Sequence, residues 1–334
     1  MVGVLVGFGG MTYIRRALIW YNPFLNKLND KKIAIMAKPF LKWAGGKSQL
    51  IPEIMQRLPD YVYDGTPYQY VEPFGGSGAV ALHLLDSPHP PTKVILNDIN
   101  SDLINLYRVI KSNPTELLDY LKITQSEYDK LESKEAKQPY YYEKRDSFNK
   151  RDGSSIEHAG LFIFLNRAGF NGLYRVNKNN GFNVPIGSYK KPNFVFEDVI
   201  LDASRLLANV EICNISFEGV LKLAKDDNQA KLPTFFYFDP PYKPLNDSSS
   251  FTSYAKDSFD DDDQVKLKEV CDLLDEQGHQ WLLSNSDTTN LDITNTFFDD
   301  LYEKYKIERV KASRSINSKG TKRGQINELL IRNY

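Results

Sequence analysis

The passage from Thr234-Phe235-Phe236-Tyr237-Phe238 into Asp239-Pro240-Pro241-Tyr242 constrains this chain most. The first five residues are β-branched or aromatic, the pattern of a buried strand. Two prolines then end it, because neither can donate to a β-ladder. An acid and an aromatic ring are left at the carboxyl end of a strand, where open α/β sheets bind ligands. A carboxylate, a carbonyl preceding a proline and a stacking ring suit a planar ring with an exocyclic amine: the acid accepts from the amine and the tyrosine covers the ring. Taken alone, the same residues also fit a strand followed by a plain Pro-Pro turn.

The 334 residues suffice for a large core and for one large or two ordinary domains. There are two cysteines, Cys213 and Cys271, and no CxxC pair. That argues against a disulfide framework or a zinc site and makes a reducing cytoplasm the expected compartment. The formal net charge is -1, so any basic footprint for nucleic acid must be local.

Two glycine-bearing stretches precede the central strand. In Trp43-Ala44-Gly45-Gly46-Lys47 the glycines allow close backbone approach and Lys47 can meet an anion, ahead of a helix expected over Gln49 to Leu58. It resembles the end of a phosphate loop, but Leu41 stands where the first glycine of that motif belongs. In Tyr70-Val71-Glu72-Pro73-Phe74-Gly75-Gly76-Ser77-Gly78, strand, turn and helix follow one another, and Gly76 and Gly78 present backbone amides at a helix start. Val94-Ile95-Leu96 is the next buried strand and ends at Asn97-Asp98. Asp98 follows Gly78 by twenty residues, the spacing of an acid that accepts from ribose hydroxyls. Together these features point to a cofactor containing a nucleoside.

From Ser101 to about Phe194 the apolar residues take helical spacing, which predicts a helical module inserted between two halves of the sheet. Asn179-Asn180-Gly181, flanked by aromatic and apolar residues, predicts a hairpin or hairpin-like loop. Arg167, Arg175, Lys178, Lys190 and Lys191 stand among Phe170, Tyr174 and Tyr189, and no acid occurs between Arg167 and Phe196. Basic residues interleaved with rings suit phosphate contact, groove insertion and base stacking, although a solvated surface loop has the same composition. Further strands are expected at Glu211 to Ile215 and Gln280 to Ser286, a substrate-covering loop at Phe251 to Phe259, a helix start at Asp260 to Asp263, and a second basic patch from Ser313 to Arg323.

Residues 1–36 form an expected extension outside the core; their apolar run, Val2 to Met11, is too short to span a bilayer. Met36 is an alternative start, which recovery of a peptide from residues 1–35 of the native protein would refute.

The motifs quoted, with Leu165-Asn166-Arg167, Phe170-Asn171-Gly172-Leu173, Phe182-Asn183-Val184-Pro185 and Arg314-Ser315-Ile316, make the chain resemble the DNA adenine methylase (Dam) family from about Lys38 to Tyr334. The resemblance implies an α/β, Rossmann-like methyltransferase sheet with an inserted helical and β-hairpin DNA-recognition domain. Residues 37–100 and 194–334 would form the catalytic domain and 101–193 the inserted one. The cofactor implied is S-adenosylmethionine and the partner double-stranded DNA. Trp43, Lys47, Phe74, Gly76, Gly78, Asp98 and Asp239 would shape the cofactor site, and Asp239, Pro240 and Tyr242 would hold a flipped adenine. On the hairpin, Phe170 resembles the wedge that enters the base stack, assisted by Asn171. Arg175 resembles the residue that reads guanine, and Leu173, Pro185 and Tyr189 are further base contacts. Many family members recognise GATC, the target the resemblance implies.

The implied chemistry is direct attack of the adenine amine on a methyl sulfonium, by positioning and electrostatics. Neither cysteine follows a proline, which argues against cytosine-ring chemistry, and no metal is expected. The alternatives are methylation of an RNA or protein amide, a DNA-binding protein without catalysis, and a nicotinamide oxidoreductase, which leaves Asp239 to Tyr242 unexplained. A monomer or weak dimer, with no membrane attachment and a role compatible with a companion restriction endonuclease, completes the expectation.

Overall fold

The computed structural model describes residues 39–43, 45–222, 232–243, 259–290, 292–313 and 325–334. The extension over 1–36, Ala44, the expected loop from Phe251 and the basic patch from Arg314 to Arg323 lie outside them, as does Arg314-Ser315-Ile316.

Among the described residues seven strands form one sheet: β1 (Gln69–Glu72), β2 (Lys93–Asn97), β3 (Glu211–Cys213), β4 (Thr234–Phe238), β5 (Gln280–Ser286), β6 (Lys306–Ser313) and β7 (Gln325–Arg332). Their spatial order is β3-β2-β1-β4-β5-β7-β6. The five from β3 to β5 run parallel, and β7 is antiparallel to both β5 and β6. Alternate residues serve opposite faces. Tyr70, Leu96, Phe235, Tyr237, Leu282 and Leu330 join one apolar cluster, whereas Val71, Ile95, Phe236, Phe238, Leu283 and Leu329 join another. Helices cover both faces, which is why the parallel strands are near-continuously apolar.

Among the described residues ten helices accompany the sheet: α1 (Ile51–Met55), α2 (Ala79–Leu85), α3 (Ser101–Ser112), α4 (Pro114–Asp129), α5 (Lys134–Lys150), α6 (Ser155–Ala168), α7 (Glu197–Leu207), α8 (Phe217–Val220), α9 (Asp261–Glu276) and α10 (Phe297–Leu301). Their starts are chemically marked. Asn100, Ser133 and Ser154 cap α3, α5 and α6 by accepting from a backbone N–H three residues on. Asp260 and Asp263 form a reciprocal capping box on α9, where acids also suit the helix dipole. Helices α3 to α7 follow β2, and their apolar residues enter the cluster that contains Tyr70 and Phe235. Leu267, Val270, Cys271 and Leu274 of α9 back the opposite face.

Two elements are shorter than the sequence pattern predicts. Instead of one helix over Gln49 to Leu58 there is a 3-10 turn, Lys47–Gln49, and then α1. Pro52 suits the first turn of α1, and Leu58, preceding Pro59, is disfavoured in helical geometry. Strand β3 stops at Cys213, short of Ile215. The buried Asn97 side chain accepts from Ile215 N at 3.0 Å and donates to Ile215 O at 3.0 Å, taking both groups from the ladder. Among the described residues no helix is long and apolar enough to cross a membrane.

Candidate active site

Strand order reverses between β1 and β4: β2 and β3 lie beyond one, β5 beyond the other. The carboxyl ends of β1 and β4 therefore open onto the switch-point crevice, where α/β sheets bind ligands. From β4 comes Asp239 and from β1 the glycine turn. Lys47 closes on them from the 3-10 turn. Its Nζ lies 2.8 Å from Asp239 Oδ1 and 4.3 Å from the centre of the Tyr242 ring. It also donates to Gly45 O at 2.6 Å. The Ser284 hydroxyl on β5 donates to Asp239 Oδ1 at 3.1 Å. Burial pushes the Asp239 carboxyl above its ordinary range, against the pull of Lys47 and with the negative charge of Glu328 adding to it.

The loop after β4 is held by neighbours distant in sequence. Tyr242 donates its hydroxyl to Glu328 Oε2 on β7 at 2.7 Å. Gln264, 1% exposed on α9, donates to Pro241 O at 3.2 Å and is itself bonded by Asn285 at 3.1 Å. Ser286 donates to Lys243 O at 2.9 Å. The acid and ring are thus fixed by β5, β7 and α9 together.

On the β1 side, Gly76 and Gly78 have φ of +47° and +65°, backbone that side chains rarely adopt. A Cβ on Gly78 would lie 2.5 Å from the Tyr107 hydroxyl, which donates to Gly76 O at 3.0 Å. One on Gly76 would lie 3.2 Å from Trp43 Nε1, so the indole edge flanks this turn. Asp98, at the end of β2, accepts from Gly76 N and from Asn100 N, each at 2.9 Å. Burial raises its carboxyl, while those two amides offset part of the rise. Phe74 stacks on Phe217 with ring centres 5.5 Å apart. Glu72 is buried beneath the turn, accepts from the Tyr70 hydroxyl at 2.8 Å and from Ala81 N at 3.1 Å, and has its carboxyl raised by burial to about 8.

The residues expected to read DNA form a separate group. The segment after α6 doubles back through bridges Gly169↔Ile186 and Val176↔Phe182, so the predicted hairpin is a loop pinned at two points. Asn171 has φ of +55°. Phe170, Asn171, Pro185 and Tyr189 are exposed, and Leu173 and Arg175 half-buried. Arg175 Nε donates to Asn183 Oδ1 at 2.7 Å. Lys42 joins this group to the Trp43–Lys47 stretch: its Nζ lies 4.4 Å from the centre of the Tyr189 ring, and its stem lies where a Cβ on Gly172 would fall.

Lys47 thus touches both Asp239 and Tyr242, Asp98 bonds the glycine turn, and Trp43 flanks it. Sequence inspection alone did not single out Ser284, Gln264, Asn285, Asn97 or the anchoring of Tyr242 on Glu328. Their partners lie on other strands, and spacing carries no mark of them. Among the described residues no group of three or more His, Cys, Asp or Glu is arranged to hold a metal ion.

Comparison with known proteins shows the family of the chain. The model of the D12 class N6 adenine-specific DNA methyltransferases matches residues 43–316. The chain is 45% identical over 300 residues to the Type II methyltransferase M.MjaIII of Methanocaldococcus jannaschii, covering 89% of this chain and 99% of that one. It is 38% identical over 317 residues to the Type II methyltransferase M1.LlaDCHI of Lactococcus lactis subsp. cremoris, covering 93% and 99%. To the DNA adenine methylase of Escherichia coli K12 it is 36% identical over 293 residues, covering 88% and 94%. The chain belongs to the D12 class of N6 adenine-specific DNA methyltransferases.

Proposed function

We propose that this enzyme takes its methyl group from S-adenosylmethionine and places it on the N6 amine of an adenine flipped out of double-stranded GATC. The observation that carries this is the Lys47 ammonium. One N–H donor bonds the Asp239 carboxylate and lies over the face of Tyr242. An adenine that stacks on Tyr242 and points its amine at Asp239 needs the same acceptor and the same ring face, so Lys47 must yield as the base enters.

The cofactor fits the residues present. A Cβ on Gly78 would meet the Tyr107 hydroxyl and one on Gly76 would press on the Trp43 indole, Trp43 and Phe74 offer apolar surface, and Asp98 is an acceptor suited to ribose hydroxyls. Bound there, S-adenosylmethionine supplies an electrophilic methyl group on a positively charged sulfur. The protein's part is positional. Asp239 and the Pro240 carbonyl accept hydrogen bonds from the amine and turn its lone pair outward. Asp239, raised by burial, is the acceptor for the proton the amine gives up. Extracting a base from the duplex costs a few kcal/mol. Stacking on Tyr242 and insertion of Phe170, 49% exposed, would offset part of that. Arg175 would read guanine, with Leu173, Pro185 and Tyr189 as further contacts and Asn171 supporting the wedge. Residues 101–193 would then be the target-reading segment and 37–100 with 194–334 the catalytic one. The higher identity to the two type II methyltransferases than to the E. coli protein favours a role beside a restriction endonuclease.

The test is transfer of labelled methyl from S-adenosylmethionine to two duplexes, one with GATC and one with that site scrambled. Label confined to the GATC duplex is expected. Equal label on both would remove the target assignment and leave the chemistry, and no label on either, despite cofactor binding, would move the weight to another substrate or to a binding protein.

A further inference from the structure

The reaction as described makes no use of the buried carboxylate of Asp102, on the first turn of α3, which is 4% exposed. It makes four hydrogen bonds to three side chains from other parts of the chain. Arg151, just past α5, donates through Nε to Oδ1 at 3.1 Å and through Nη2 to Oδ2 at 2.9 Å. His158 Nε2, on α6, lies 2.9 Å from Oδ1. The Tyr174 hydroxyl donates to Oδ2 at 2.8 Å.

Two of these partners belong to, or reach into, the acid-free loop. Tyr174 directly precedes Arg175, and its ring stacks on Phe162 and Trp43 with centres 5.1 and 5.5 Å apart. Arg151 Nη2 also donates to Asn180 O at 2.8 Å, at the far turn of the loop, where Asn180 has φ of +58°. One carboxylate therefore ties down the entry of the loop directly and its turn through one guanidinium. Arg175 lies between those two ties, aimed by its bond to Asn183. A lone buried charge is costly, and a fully bonded one fixes the groups around it in one arrangement.

We propose that Asp102 and Arg151 are positioning residues for target specificity: together they set where the loop presents Arg175 to a guanine. This rests on Arg175 as the guanine reader. It acts on discrimination between sites, not on the methyl-transfer step, since neither residue touches Asp239, Tyr242 or the glycine turn.

The experiment compares wild type, Asp102→Asn, Asp102→Asn with Arg151→Gln, and Arg151→Lys. For each, kcat/KM is measured on duplex GATC and on duplexes with one base pair of the site changed. Unfolding and S-adenosylhomocysteine affinity are measured alongside. Asp102→Asn strands a guanidinium and should lose stability; removing that charge with Arg151→Gln should restore it. In both, preference at guanine positions should fall about ten-fold, the scale of one bidentate base contact. Preference at the A·T pairs, cofactor affinity and kcat on GATC should stay within about two-fold. Arg151→Lys keeps a charge for Asp102 but lacks the fork that also reaches Asn180, and should show the same loss at guanine without Asp102 being altered. If discrimination returns with stability in the double variant, or is intact in Arg151→Lys, the role is structural only and the inference fails. A wild type that discriminates no base of GATC would instead overturn the reading of Arg175, and this inference with it.

Discussion

At Asp239 burial and charge oppose each other. Desolvation raises the carboxyl, Lys47 and Ser284 lower it, and Glu328 raises it through its negative charge. Glu328 also holds the Tyr242 hydroxyl. Replacing it separates the two roles. Glu328→Gln keeps an acceptor for Tyr242 but removes the charge, so Asp239 should ionise more readily. The acid limb of the kcat/KM profile should therefore move to lower pH; an unmoved limb would mean that Glu328 does not act on Asp239. Glu328→Ala also frees the ring, and kcat/KM on duplex DNA should fall on the order of ten-fold. Tyr242→Phe removes the same bond from the other side, so the double variant should lose far less than the product of the two single losses. Asp239 and Asp98 could be singled out from sequence because each ends an apolar run, and Tyr242 because it follows the prolines that close one; runs are legible in one dimension. Glu328 stands in a run of its own, and only the pairing of β7 with β5 brings it under Tyr242.

Among elements, the turn from β1 into α2 is tightly constrained. Gly78 combines a left-handed backbone with a neighbour 2.5 Å from where a Cβ would sit. Gly78→Ala should weaken S-adenosylmethionine binding about ten-fold or more, since left-handed geometry alone costs an alanine about 1–2 kcal/mol. Adding Tyr107→Phe should recover part of the loss, because it removes the hydroxyl that clashes; titration of both variants with the cofactor checks this. A Gly78→Ala enzyme with unchanged affinity would exclude this turn from the cofactor site. The central strands β1, β2, β4 and β5 follow their apolar runs. The two elements that came out shorter were overruled from outside their own pattern. For α1 the cause is Pro52 in its first turn and Pro59 beyond its end, visible locally. For β3 it is the Asn97 side chain, more than a hundred residues earlier, which no periodicity reports.

For the molecule as a whole, Glu72 is a buried acid at the switch point, raised by burial from 4.5 to about 8. At neutral pH it is therefore protonated when folded and ionised when unfolded. Its contribution to stability is complete below about pH 4.5 and is lost as pH rises through about 8. Glu72→Gln should remove that dependence. In urea unfolding from pH 5 to 9, the variant should gain on wild type by an amount on the order of a few kcal/mol. A constant difference across that range would contradict the raised carboxyl. The layered α/β plan was legible as a whole because buried parallel strands, glycine turns and acids at strand ends recur in order along the chain. The polar scaffold beneath the site was not, because Gln264, Ser284, Asn285 and Glu328 acquire their partners only when β5, β7 and α9 assemble around the loop after β4.

The central claim is that Asp239 and Tyr242 form the seat for an adenine amine. The most direct measurement is the yield of N6-methyladenine, after digestion of a methylated GATC duplex to nucleosides, from wild type and Asp239→Asn at matched cofactor occupancy. Wild type should yield N6-methyladenine and no methylcytosine. Asp239→Asn should lower the single-turnover rate about 100- to 1,000-fold, the usual cost of losing one preorganised polar group. An Asp239→Asn enzyme that still forms N6-methyladenine at the wild-type rate would place the chemistry elsewhere and contradict the account.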